Sequence, residues 1–162
     1  MQLSEHFSLE EMTATEHRGL QAANYEAART NPDVLNNLFT LTRHLGEQVR
    51  ERFGPVSVHS GFRFSALNAA VGSHPGSQHL LGEAMDFHCP GVSLQVIFDW
   101  IRFDSGLQFG QIILEGGPPE PRWIHLSLTG GRPPEKCQQA LVGEFGPNGF
   151  HYRPASGIRG KA

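Results

Sequence analysis

The chain has 162 residues, 38% hydrophobic and 18% charged, with 19 Gly and 11 Pro, a globular and loop-rich composition that excludes a disordered or fibrous protein. Thirteen basic residues against 16 acidic give a formal net charge of −3 with no Lys/Arg block, so nucleic-acid binding through a basic surface is not expected. No apolar run approaches the ~18 residues of a membrane helix, and two cysteines, Cys89 and Cys137, form no disulfide framework and read as free thiols of a reducing compartment.

In chain order, Phe7 to Met12 reads as a helix start, with Ser8 as cap and Glu11 three residues on as in a capping box. The strongest helix follows Asn31-Pro32-Asp33, where Val34, Leu35, Leu38, Leu41, Leu45 and Val49 recur at three- and four-residue steps until Gly54-Pro55. A short strand over 56–58 opens into Ser60-Gly61-Phe62-Arg63, a short helix covers 65–71, and 72–76 is a loop. Residues 83–87 alternate as a strand, and 93–102 carry a helical stripe of Leu94, Ile97, Phe98 and Ile101. Strands over 110–115 and 123–128 are joined by a Gly/Pro-rich hairpin loop, 116–121. The pattern weakens after Gly130: residues 136–142 are expected as a helix and 143–162 as an irregular, partly mobile Gly-rich tail. Helices first and a small, mainly antiparallel sheet second predict an α+β fold, one domain over residues 1–142, and a monomer.

Nine His in so short a chain direct attention to metal. Catalytic zinc takes three side-chain ligands and leaves a fourth position open. The helical His-Glu-x-x-His device is absent, but His79 ends a loop, Gly82 permits a tight turn, and Asp86 lies along the next strand on the face of the small Ala84. His125, between Ile124 and Leu126, lies on an otherwise apolar strand and is the candidate third ligand. An Asp in mid-strand is uncommon and a half-buried carboxylate needs a partner. From spacing alone, satisfied or surface side chains remain the alternative for each of the three.

Ser77, His79, Gly82, Ala84 and Asp86 match the Ser-x-His-x-x-Gly-x-Ala-x-Asp signature of the zinc D-alanyl-D-alanine peptidases, Trp123-Ile124-His125 resembles that family's Trp-x-His, and Ser60-Gly61-Phe62-Arg63 its Ser-Gly-x-Arg. The resemblance runs from about Phe7 to Leu128, and the wider group includes D-Ala-D-Ala carboxypeptidases and dipeptidases, L-alanyl-D-glutamate endolysins of phage, and the zinc fold of Hedgehog signalling domains. It implies one zinc ion held by His79, Asp86 and His125, and hydrolysis of D-amino-acid-containing bonds in peptidoglycan stem peptides. It also implies a general base for the attacking water. Dipeptidases of the group place a Glu three residues before the second His, where this chain has Arg122. Other branches bring the Glu from the end of the preceding strand, which here is Glu115; Glu120, in the Pro-rich loop, is the competing choice. Arg63 is the expected electrophilic helper and carboxylate holder, and Ser77 a residue that orients a ligand or binds substrate backbone.

The remaining His are assigned lesser parts: His88 on the site rim, His59 and His74 beside the motifs, and His6, His17, His44 and His151 on the surface. The N-terminus has neither a basic start nor an apolar h-region, so no secretory signal is expected. With a substrate outside the cytoplasm, the expectation is a phage or prophage lysis enzyme, made in the cytoplasm and released by a separate route. The competing function is a zinc-containing binding module that has lost turnover, and a Glu115 turned to solvent would favour it.

Overall fold

The computed structural model describes residues 1–115, 121–146 and 149–155. Ser8 caps α1 (Leu9–Met12) through the expected reciprocal box: its hydroxyl accepts the Glu11 N–H, and the Glu11 carboxylate accepts the Ser8 N–H. The helix after Asn31 begins as α3 (Pro32–Leu41), with the Asn31 side chain accepting from the N–H groups of Asp33 and Val34. It continues through a π turn (Thr42–Gly46) into α4 (Glu47–Phe53) and stops at Gly54, whose φ of +84° suits glycine. Val34, Leu38, Leu41, Leu45 and Val49 form the buried stripe their spacing predicts. Between α1 and α3, α2 (Gln21–Arg29) occupies a stretch that hydrophobic periodicity left unassigned. Its buried residues are Asn24 and Ala28, one polar and one small, so it shows no apolar stripe in the sequence.

Six strands, β1 (Ser57–Ser60), β2 (Ala84–His88), β3 (Gln111–Glu115), β4 (Trp123–Ser127), β5 (Gln139–Gly146) and β6 (Gly149–Pro154), form one sheet in the order β1-β2-β4-β3-β5-β6. Every neighbouring pair is antiparallel except β3 with β5, which is parallel. Two further helices, α5 (Ser65–Ala70) and α6 (Leu94–Phe103), follow the expected spans to within a residue. The architecture is α+β, with a mainly antiparallel sheet.

Two expectations for the C-terminal region are corrected. Residues 136–142 are not a helix: a single tight turn (Pro134–Lys136) is followed by β5. The described residues after 143 are not irregular, because β5 runs through 142 and 143 and pairs with β6 as far as Pro154. Gln139 to Val142 lie beside Gln111 to Leu114, so the Ala140-Leu141-Val142 run is used at strand period against an existing edge. The loop 116–121 lies, except for Pro121, outside the described residues, and so does Glu120.

Register divides the sheet into two faces. Met85, Phe87, Ile112, Leu114, Ile124 and Leu126 point to the helix side and join Ile97, Phe98 and Ile101 of α6 and the α3–α4 stripe in one core. The alternate positions carry Asp86 on β2, His125 on β4, Ile113 and Glu115 on β3, and Leu141 on β5; Asp86 lies directly opposite His125, and Ile113 lies between His125 and Leu141. β2, β3 and β4 therefore present Asp86, Glu115 and His125 on the face away from the helical core.

Candidate metal centre

Asp86 and His125 meet because they are cross-strand partners at the centre of the sheet. His79 reaches them from the tight turn Gln78–Leu81, which ends at Gly82 with φ +70°. That turn is packed so closely that a Cβ at Gly82 would stand 3.0 Å from the Val34 carbonyl oxygen. His79 Nε2 lies 3.2 Å from His125 Nδ1 and 3.2 Å from Asp86 Oδ1, and His125 Nδ1 lies 2.9 Å from Asp86 Oδ1. A tetrahedral site with bonds of ~2.0–2.1 Å has ligand-to-ligand edges of roughly 3.3 Å, so the triangle has the size of one face of a zinc site. All three side chains are buried.

The outward-facing nitrogens of both imidazoles are already engaged. His79 Nδ1 is 2.6 Å from the Gly61 carbonyl oxygen, and His125 Nε2 is 3.1 Å from Gln78 Oε1. A ring whose far N–H donates to a carbonyl presents its other nitrogen as a lone pair, which is how ligand imidazoles are oriented. Gln78 is itself fixed, because its Nε2 donates to Ser127 Oγ at 2.8 Å. Gly61 permits its part of this arrangement, since a Cβ there would run into the Met12 carbonyl oxygen. The donor set of two imidazoles and a carboxylate, with the far nitrogen of each ring already engaged, fits a zinc ion.

Electrostatics point the same way. Burial drives the Asp86 carboxyl upward, but the imidazoles of His79 and His125 outweigh it and hold the carboxyl well below the usual carboxylate range. Burial, with the charges of His125 and Arg63, lowers the His79 imidazole despite neighbouring Asp86, favouring the neutral form that binds metal.

A cavity of about 520 Å³ opens over the triangle and is lined by Arg63, Ser77, Glu115 and Tyr152 as well as the three ligand candidates. Six residues singled out from the sequence (Arg63, Ser77, His79, Asp86, Glu115 and His125) thus line one cavity, while Glu120 lies outside the described residues. Arg63 is held by its backbone, whose N–H donates to the His79 carbonyl. Burial lowers its guanidinium, opposed by the charges of Asp86 and Glu115, and its buried Nε has no hydrogen-bond partner among the described residues. The loop carrying Arg63 is pinned by Asn24, whose Nδ2 donates to the carbonyls of Thr13 (2.8 Å) and Phe62 (2.9 Å) and whose Oδ1 accepts the Phe64 N–H. Ser77 is used locally: its hydroxyl accepts the His79 N–H and caps the turn.

The other His are set apart from the triangle. His88 Nδ1 is 2.7 Å from His59 Nε2, and a bulge between Val58 and Ser60 lies where these two rings meet. His59 and His17 line a second cavity of about 300 Å³, which shares Arg63, Asp86 and Trp123 with the first. His74 uses Nδ1 to accept the Gly76 N–H. Gln78, Asn24 and Tyr152 were not singled out from sequence. For Tyr152 a signal exists in Gly146-Pro147-Asn148-Gly149, a turn sequence between two short segments that alternate at strand period.

The family model described as Peptidase M15 matches residues 5–127 of the chain, and no curated protein matches it.

Proposed function

The chain belongs to the peptidase M15 family, zinc metallopeptidases of the peptidoglycan-acting type, and from that premise we propose that it hydrolyses bonds to D-amino acids in peptidoglycan stem peptides. The observation that carries this reading is the placement of the His79–Asp86–His125 triangle, Glu115 and Arg63 in one cavity. We assign the three ligand positions to a single zinc ion. When bound there, zinc supplies Lewis acidity toward a peptide carbonyl and brings the ionisation of water close to neutral pH.

The chain's own residues account for the remaining work. Glu115 takes the proton of the attacking water and returns it to the leaving amine. Arg63, with a buried N–H still to be satisfied, donates to the carbonyl oxygen as charge develops on it. Glu115 lies on the site face of β3 and lines the cavity, which favours turnover over a binding module that has lost its base. The second cavity borders the first, sharing Arg63, Asp86 and Trp123 as lining. A substrate extending on both sides of the scissile bond fits that shape, which supports an endopeptidase over a carboxypeptidase.

The test is digestion of purified sacculi by the zinc-loaded protein, read by mass spectrometry of the muropeptides. Internal cleavage of stems, abolished by a chelator and restored by added zinc, is the expected result. Loss of a terminal D-Ala alone would make the enzyme a carboxypeptidase, and full activity in a rigorously metal-free preparation would overturn the proposal.

A further inference from the structure

We propose that Tyr152, on the C-terminal hairpin, is a positioning residue for the Glu115 carboxylate; the inference rests on the hydrolase reading above. Glu115 pairs with Trp123 on one side, and one step beyond the Leu114–Val142 pair its other neighbour on the sheet is Gly143. Gly143 in turn pairs with Tyr152, which places Tyr152 on the site face two strands away from Glu115. The intervening residue has no side chain, so the long phenol crosses that gap. Its hydroxyl donates to Glu115 Oε1 at 2.5 Å.

A donor that close to a carboxylate makes a strong, directional bond. It holds a side chain at the end of a strand through Oε1, and Oε2 is the oxygen we assign to proton transfer. Holding a reacting group in one geometry is worth far more than its contact energy, because misplacement by an ångström costs turnover. Burial, reinforced by the neighbouring carboxylate, pushes the Tyr152 phenol above its ordinary range, so it remains a donor throughout the pH range in which the enzyme is assayed. The same ring lines the cavity, so the hairpin closes one wall of the site as well as training the base.

The experiment compares zinc-loaded wild type, Tyr152→Phe, Glu115→Gln and the double variant on muropeptides from purified sacculi. Tyr152→Phe keeps the ring and removes only the hydroxyl. Its kcat should fall about 10- to 100-fold, with KM within twofold and zinc content unchanged. In the Glu115→Gln background the same change should cost no more than about twofold, because the two residues act as one unit. Independently of activity, the ¹³C resonance of the Glu115 side-chain carboxyl, identified by its loss in Glu115→Gln, should move in metal-free Tyr152→Phe. An unchanged kcat, a rise in KM alone, a full multiplicative loss in the double variant or an unmoved resonance would each overturn the proposal. A wild-type protein that leaves every muropeptide intact removes the hydrolase reading and this role together, whereas cleavage by wild type with Tyr152→Phe at full kcat removes this role alone.

Discussion

At Asp86 a carboxylate is withdrawn from water and surrounded by His79 and His125, at 3.2 and 2.9 Å. On the proposed ligand set, replacing any one of the three by Ala removes one of three protein ligands, so elemental analysis should find the metal lost together with turnover. Glu115→Gln should separate the two readouts, keeping zinc while turnover falls about 10²–10⁴-fold, the usual worth of a positioned acid–base group. Gln78→Ala should act at one remove: freeing the far nitrogen of His125 should weaken zinc binding about 10- to 100-fold in a chelator competition, with the fold intact. The two thiols should also differ. Cys89 is buried and its thiol is pushed up to about 11 by that burial, whereas Cys137 is half-buried. One thiol per native chain should therefore react rapidly with an alkylating reagent at neutral pH, and two after denaturation.

Asn24 is the point at which an element decides the site. Its amide joins α2 to both ends of the Phe62-Arg63-Phe64 segment, and its removal leaves the Phe64 N–H and the Phe62 carbonyl without this partner, while the Thr13 carbonyl keeps Gln21 Nε2. Asn24→Ala should cost about 3 kcal/mol in denaturant unfolding and should lower turnover through the displaced Arg63. The helices over 32–53 and 94–103 and the strands from 84 to 127 were legible because their buried residues are mostly large and fall at one clear period. The ligand candidates were legible for the opposite reason, since Asp86 and His125 interrupt apolar strands that have no structural use for them. The helix of Asn24 was silent because what it buries is a hydrogen-bonding group and an alanine. The strands of β5 and β6 were misread because Ala140-Leu141-Val142 is too short to reveal its period, and only an open edge on β3 makes it a strand.

Across the whole molecule the three ligand candidates come from one turn and two strands, so on the proposed ligand set zinc would bind only where the sheet has closed around it. At free zinc a thousandfold above Kd the native state should gain about 4 kcal/mol over the metal-free protein. For a chain of this length that is a rise in Tm of roughly 10 °C, which a thermal scan with and without chelator would measure. The parallel pairing of β3 with β5 has a further consequence for the order of assembly. β3 offers one edge to β4 and the other to β5, and the pairings that bring the ligand triangle together involve nothing beyond Ser127. The β5–β6 hairpin can dock only on an edge that already exists, and its pairings lie in a stretch of chain that leaves the ribosome after the ligand candidates. A nascent chain therefore acquires its cation site while Tyr152 is still unplaced, and refolding should show metal uptake preceding the appearance of activity, with the interval set by the docking of a single hairpin.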